Sequence, residues 1–133
     1  MAEKTYKAQL LTPEGSLFEG EVFSVTVPGQ NGNFQVLYNH APIVSSLGMG
    51  RITIEPEDRD AQHYAVKGGF VEMSRNEITI LAEKAIRSDK IDVEEVNQRL
   101  DEIQNELEGF AGDRTQLEYD LAVAKNELNV AQS

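Results

Sequence analysis

The chain has 133 residues, a formal net charge of −11 at pH 7 and no cysteine. This length suits one compact domain, or one small domain with an appendage. The lack of thiols excludes disulfides, thiol catalysis and thiolate metal sites, and the acidic balance disfavours nucleic acid and anionic lipid surfaces as direct partners.

Short alternating apolar runs fill the first 87 residues. Ile52 and Ile54 alternate with polar neighbours, and so do Ile78 and Ile80, which is typical of half-buried strands. The pattern predicts strands near 4–11, 16–27, 33–37, 43–47, 50–55, 62–68, 69–73 and 77–82. Short strands at this spacing indicate an antiparallel β-sandwich or a barrel.

Three local features refine this prediction. Residues 12–15 predict a tight turn, because the proline presets φ and the glycine accepts a positive φ. The apolar parity of the second strand switches along its length, and a bulge near Gly20 would produce this switch. The pair Gly68 and Gly69 is expected to permit a bend or a crossing between strands.

The apolar spacing changes near Ser88 to alternating steps of three and four residues. The seam runs through Val93, Val96, Leu100, Ile103, Leu107 and Phe110, and then through Leu117, Leu121, Ala124, Leu128 and Ala131. This spacing predicts an antiparallel two-helix hairpin over residues 88–133, following a β-sandwich domain over residues 1–87. Asp92 with Glu95, and Asp113 with Gln116, predict a capping box at the start of each helix.

The predicted hairpin is weakly apolar and strongly acidic. Residues 88–133 carry 4 basic and 12 acidic side chains, a net charge of −8, whereas residues 1–87 have a net charge of −3. Two helices have only one seam to bury, so the hairpin is marginal unless it lies on another surface. We therefore expect a docked but detachable element.

Six motifs occur in order along the chain. They are Phe18-Glu19-Gly20-Glu21-Val22, Val27-Pro28-Gly29, Gly32-Asn33-Phe34, Asn39-His40-Ala41-Pro42, Val66-Lys67-Gly68-Gly69-Phe70 and Thr79-Ile80-Leu81-Ala82-Glu83-Lys84-Ala85. Together with the change of period, they resemble the epsilon subunit family of bacterial and chloroplast F-type ATP synthases. The resemblance covers nearly the whole chain.

The resemblance implies a non-catalytic rotor part at the foot of the central stalk of a proton-translocating ATP synthase. It would couple rotation of the c-subunit ring to the catalytic head. The implied partners are the gamma subunit, the c ring and, for the hairpin, the catalytic beta subunits. The implied fold is a ten-stranded β-sandwich with a C-terminal helix pair, acting as a stalk-binding body and a regulatory arm. We expect no cofactor, a monomer when isolated, and a peripheral position at the cytoplasmic face of the bacterial inner membrane.

The family's ring contact lies around the third predicted strand and the loop after it. By resemblance, partner binding is assigned to Gly32, Asn33, Phe34, Tyr38 and His40. The chain departs from the common Gly-Glu-Leu-Gly pattern, with Asn33 in place of Glu and Gln35 in place of the second Gly. His40 has an alternative interpretation as a cap for the turn before Pro42.

Some bacterial relatives bind ATP on the folded hairpin through an Ile-Asp-x-x-Arg-Ala pattern. Here Glu95 stands where the arginine would be, and an anion near a polyphosphate is unfavourable. Asp92 is the only remnant of the pattern and is better explained as an N-cap, so we expect no tight nucleotide binding. The acidic hairpin should also be attracted poorly to the acidic segment that it meets on beta subunits in relatives, so inhibition of hydrolysis is expected to be weak or steric.

Two other classes of function were weighed against this interpretation. Catalysis is not expected, because the two histidines are far apart and neither a nucleophile elbow nor a metal-ligand spacing occurs. A free-standing β-sandwich binding module with an oligomerising helical hairpin is the alternative that composition alone permits. Such a module would be isolated as a soluble oligomer, whereas an epsilon subunit would co-purify with membrane-bound ATPase.

Overall fold

The computed structural model describes residues 4–132. The strands are β1 (Tyr6–Thr12), β2 (Gly15–Gly29), β3 (Gly32–Leu37), β4 (Ile43–Ser46), β5 (Gly50–Pro56), β6 (Gln62–Ser74) and β7 (Glu77–Arg87). A short 3₁₀ turn (Ser88–Lys90) leads to the helices α1 (Val93–Leu107) and α2 (Thr115–Ala131). The predicted fold class, a β-sandwich followed by a two-helix hairpin, is confirmed. Residues 1–3 and 133 of the two predicted domains lie outside the described residues.

Three long strands belong to both layers of the sandwich. The first half of β2 pairs with β1, and its second half pairs with β3 and β5. The first half of β6 pairs with β5 and its second half with β4, while β7 follows β6 along its length. Layer A therefore contains β4, the second half of β6, the first half of β7, β1 and the first half of β2. Layer B contains the remaining segments, so each layer has five, as the resemblance implied.

The bend between the layers lies at Gly68 and Gly69. Residues 62–68 and 69–73 form one bent strand, β6, and not the two strands predicted, because the pairing with β7 continues through the bend. The two glycines have φ values of +66° and +121°, which favour glycine over any residue with a Cβ atom. A Cβ atom on Gly69 would also collide with the carbonyl oxygen of Leu81. The predicted bend is confirmed.

The bulge in β2 lies three residues later than predicted. Val22 pairs with Pro56 and Ser24 pairs with Glu55, which leaves Phe23 as the extra residue. The expected position near Gly20 is wrong, because the strand changes partner from β1 to β5 only after Val22. Because of the extra residue, even-numbered side chains face the core before the bulge and odd-numbered ones after it. Both halves of β2 therefore point apolar side chains into the core.

The core lies between the two layers and includes Leu10, Val22, Val25, Val36, Ile52, Ile54, Met73, Ile78 and Ile80. Two tyrosines enter it with their hydroxyl groups satisfied, as burial requires. The Tyr6 hydroxyl donates to the Val36 carbonyl at 2.5 Å, and the Tyr64 hydroxyl donates to Gln62 Oε1 at 2.7 Å. Burial raises the pKa of both phenols.

Of the two predicted capping boxes, the structure shows the N-cap half of one, because the Glu95 carboxylate bonds Arg99 and not the Asp92 amide. Asp92 is the N-cap of α1, and its Oδ1 accepts a hydrogen bond from the Glu95 amide at 3.2 Å. Asp113 is not the N-cap of α2, which is Arg114. The Asp113 carboxylate instead accepts hydrogen bonds from the amide and the hydroxyl of Thr115, at 2.9 and 2.6 Å. These bonds lower the pKa of Asp113, and α2 begins at Thr115.

The helix seam is only partly as predicted. Val96, Ile103, Leu107 and Ala124 are buried, whereas Val93 and Phe110 are more than two-fifths exposed. Val130 and the carboxylate residue Glu127 are also buried, although they lie outside the predicted seam. Helix α2 therefore has a second buried face, which lies against the sandwich.

Substitution of Gly69 should be far more damaging than substitution of Gly15. Both glycines have a left-handed φ, so each alanine variant incurs a strain of about 1–2 kcal/mol. Only Gly69→Ala adds a collision with backbone, which should cost roughly 1–3 kcal/mol more. Urea unfolding of the two variants measures the difference, and equal losses of stability would show that the crossing tolerates a side chain.

Candidate partner-binding surface

The segment assigned to partner binding is an edge strand and the turn after it. Gly32 and Asn33 begin β3, which pairs with β2 on one side only. Gly32 has a φ of +118° and follows the two-residue turn of the β2–β3 hairpin. Gly32 and Asn33 are exposed, so the start of this strand is free to meet a partner.

Phe34 is half-buried and packs against the core. Its ring lies so close to Gly29 that a Cβ atom there would approach Phe34 Cε1 to 2.9 Å. Phe34 therefore supports the β2–β3 hairpin, and this contact also explains the glycine after Pro28. A further role of Phe34 in partner binding stays a prediction.

The turn after β3 is held by one hydrogen bond to the β6–β7 turn and by one within itself. The Asn39 amide donates to Asn76 Oδ1 at 2.6 Å, and the His40 amide donates to the Leu37 carbonyl at 3.1 Å. The His40 ring nitrogen Nδ1 lies 2.7 Å from the Ala41 carbonyl oxygen, which supports the turn-capping interpretation of this residue. Tyr38 remains 39% exposed, with the Lys4 ammonium 5.2 Å from its ring centroid.

The outer face of layer A carries an apolar patch that sequence reasoning missed. Phe70 pairs with Leu81, and Leu81 pairs with Leu11, so the three lie in one cross-strand row. Val44 lies on the neighbouring strand β4, opposite Glu72. Val44, Phe70 and Leu81 are 70%, 58% and 51% exposed. We call Leu11, Val44, Phe70 and Leu81 the apolar patch.

A signal for this patch was present in the sequence. Ile78, Ile80 and Ala82 occupy the inward phase of β7 and are buried. Leu81 occupies the opposite phase, where a half-buried strand normally carries polar residues. Contiguous apolar residues on an outward phase mark interaction sites more often than scattered single ones.

The opposite outer face, on layer B, is covered by α2. The Asn126 amide donates to the Gly50 carbonyl at 3.0 Å, and Glu127 lies 3.7 Å from the Lys84 ammonium. The Lys67 ammonium lies 5.4 Å from the centroid of the Tyr119 ring. The hairpin thus packs on one outer face, and no part of the chain between residues 4 and 132 covers the apolar patch on the other face.

The hairpin region that resembles a nucleotide site is occupied by its own side chains. The Arg99 guanidinium bonds Glu95 at 2.8 Å and Glu127 at 3.2 Å. The bond from Arg99 lowers the pKa of Glu95, and the two carboxylates raise the pKa of Arg99. Among the described residues, no group of three or more histidine or carboxylate side chains has the geometry of a metal site.

Comparison with known proteins agrees with this architecture. Residues 5–88 match the model of the ATP synthase delta/epsilon chain β-sandwich domain. The ATP synthase epsilon chain of Lactobacillus gasseri is 33% identical over 98% of this chain and 95% of its own length. That of Maricaulis maris is 35% identical over 96% of this chain and 94% of its own.

The chain belongs to the ATP synthase epsilon chain family. The prediction of a non-catalytic ATP synthase subunit is thereby confirmed, and the chain is a component of a membrane-associated complex. No helix in residues 4–132 has the length and apolar character needed to cross a membrane.

Two solved structures share the fold of this epsilon-family chain. One is a chain of the Euglena gracilis mitochondrial ATP synthase assembly of OSCP, F1 and c-ring, with a TM-score of 0.72 and 19% identity, covering 96% of this chain and 78% of that chain. The other belongs to the central stalk and c-ring of the Tetrahymena thermophila mitochondrial ATP synthase, with a TM-score of 0.59 and 16% identity, covering 99% of this chain and 97% of that chain.

Phe34 and Tyr38 should respond differently to truncation. Phe34→Ala removes a ring that packs on the core and should lower the free energy of unfolding by roughly 1–3 kcal/mol. Tyr38→Ala removes an exposed ring and should change it by less than about 0.5 kcal/mol. Thermal or urea unfolding checks both values. A larger loss for Tyr38→Ala than for Phe34→Ala would contradict the packing described.

Proposed function

We propose that the chain is a central-stalk rotor subunit that couples rotation of the c ring to the catalytic head of a proton-translocating ATP synthase. The observation that carries this proposal is the bare apolar patch on a sandwich that belongs to the epsilon family. A coupling part needs a stiff body and two separate attachment surfaces. The paired strands β6 and β7, which run through both layers, provide the stiff body. The apolar patch and the segment from Gly32 to His40 are the candidates for the two attachment surfaces.

The gamma subunit is the proposed partner of the apolar patch. A rotor subunit must stay attached to the stalk through each turn, and permanent interfaces are more apolar at their centre than transient ones. Phe70 is the natural anchor, because it is the largest exposed side chain of the patch, and large aromatic residues dominate interface energetics. Leu81 and Val44 flank it on the neighbouring strands.

The c ring is the proposed partner of the segment from Gly32 to His40. The ring presents polar loops, and this segment presents polar side chains, an exposed tyrosine and a free strand edge. The resemblance supports the position, while Asn33 in place of Glu indicates that the contact is made without the carboxylate common in the family. On this proposal Gly32, Asn33, Tyr38 and His40 face the ring, and Phe34 supports them from below.

Residues 1–87 are proposed as the stalk-binding domain and residues 88–133 as a regulatory arm. The arm docks on layer B, away from the apolar patch, so it can change position without freeing the proposed gamma interface. Its candidate partner above the rotor is a catalytic beta subunit. The complex would hold the chain at the cytoplasmic face of the bacterial inner membrane, as a peripheral component.

Single-cysteine crosslinking tests both partner assignments, because the chain has no native cysteine. In the assembled complex, Phe70→Cys carrying a short photoactivatable crosslinker should react with gamma. Tyr38→Cys with the same reagent should react with the c ring. Val93→Cys is the matched control, because Val93 is 44% exposed on the hairpin but lies outside both surfaces.

The expected result is one product for each site, with neither product formed from the Val93 variant. Reaction of the Phe70 variant with the ring, or of the Tyr38 variant with gamma alone, would overturn the assignment of surfaces. Normal co-purification of a Phe70→Asp variant with gamma would show that the patch does not carry the attachment.

A further inference from the structure

Glu127 is a buried carboxylate at the junction of three elements. It lies on α2 and is 3% exposed. Its Oε2 is 3.2 Å from Arg99 Nη1 on α1 and 3.7 Å from Lys84 Nζ on β7. Arg99 also contacts Oε1 at 3.3 Å. One side chain therefore bonds the hairpin to itself and to the sandwich.

The two contacts of Glu127 differ in what they hold. The bond to Arg99 joins α1 to α2, so it remains possible when the hairpin leaves the sandwich as a unit. The contact with Lys84 joins α2 to layer B and is lost in that movement. Among the ion pairs of residues 4–132, Lys84–Glu127 is the one that joins either of the helices α1 and α2 to the sandwich.

A small void lies beside this contact. Ala65 and Ile86 form a cross-strand pair on layer B and, with Val123 of α2, line this partly open void of about 10 Å³. That volume is at the lower limit for one water molecule. Beside these apolar side chains, the hydrogen bond from Asn126 to Gly50 and the ion pair of Lys84 with Glu127 are the contacts whose geometry is specific to one docked position.

The cost of burying the carboxylate explains why this contact specifies one position. A buried charge costs several kcal/mol unless its partners are well placed, and leaving it with too few partners is strongly destabilising. In the docked hairpin, Glu127 is buried between two cations. If α2 shifted along layer B, the Glu127 carboxylate would lose its contact with Lys84. Its charge would then be balanced by Arg99 alone, or water would have to enter to solvate it.

We propose that Glu127 is a two-way clamp that sets the docking equilibrium of the hairpin through Lys84 and the integrity of the hairpin through Arg99. Replacement of Lys84 then releases the hairpin intact, whereas replacement of Arg99 weakens the hairpin itself. The proposal concerns the folded chain alone and stands apart from the assignments to gamma and the c ring.

The test measures how often α2 leaves layer B. Ala65 is 4% exposed and lines the void beneath α2, so the thiol of an Ala65→Cys variant should react with a thiol reagent only when the hairpin lifts. The full chain carrying Ala65→Cys is the reference. Lys84→Gln and Glu127→Gln are then added to it, separately and together.

Lys84→Gln should raise the labelling rate at least tenfold, which corresponds to a change of about 1.4 kcal/mol in the free energy of hairpin opening. The helix content, measured by circular dichroism, should not change. Glu127→Gln should raise the labelling rate as well, and the double variant should match Glu127→Gln, because Lys84 acts through this carboxylate. Glu118→Gln is the matched control: it removes the same charge from α2, but among the ion pairs of residues 4–132 Glu118 is found only with Arg114 of its own turn.

Three results would overturn the clamp. One is equal labelling of the Glu118→Gln and Glu127→Gln variants. Another is an unchanged labelling rate in the Lys84→Gln variant. This variant keeps the pair between Arg99 and Glu127, so its result is informative even where Glu127→Gln fails to fold. The third is a loss of helix content in Lys84→Gln equal to that in Arg99→Gln, since the two contacts would then not be separable.

Discussion

The hydrogen-bonded ladder between β6 and β7 crosses the sandwich from one layer to the other, and it carries residues of both the apolar patch and the hairpin contact. Leu81 of β7 belongs to the apolar patch on layer A, and Lys84 of the same strand holds the hairpin on layer B. The turn between the two strands fixes the segment after β3 through Asn76. Gly68 and Gly69 let the ladder bend without a change of register. Because Leu81 and Lys84 lie on the same paired strand, force between the apolar patch and the hairpin contact is transmitted through sheet backbone and not through flexible loops.

The two outer faces of the sandwich have different chemistry. Within residues 4–132, layer A presents exposed apolar side chains, and layer B is covered by α2 through polar and apolar contacts around a small void. Apolar area suits a lasting attachment, whereas a buried ion pair contributes little net stability and much geometric specificity. On the proposed function, the chain therefore combines a permanent interface with a reversible one. The net charge of −8 on residues 88–133 keeps the released hairpin soluble.

The sequence predicted what depends on local pattern. Alternation located the strands, the change of period located the helices, and the residue types of Asp92 and of the glycine pair predicted a cap and a bend that the structure contains. Features that depend on distant partners were missed. The bulge lies at Phe23 and not near Gly20, because the exchange of β1 for β5 sets its position. Glu127 occupies a polar position on its helix, and its partners are 28 and 43 residues away. The contact of the Phe34 ring with Gly29 was also not predicted, because no periodicity reveals it, and the role of Phe34 in partner binding stays a prediction.

The most direct test of the central claim is ATP synthesis driven by an ion gradient, measured in vesicles whose complex has been depleted of this chain and then reloaded with it. If the chain couples the ring to the catalytic head, synthesis falls on depletion and returns with the full chain. Reloading with Phe70→Asp should leave it low. Synthesis that continues undiminished without the chain, while the rest of the complex stays assembled, would contradict the account.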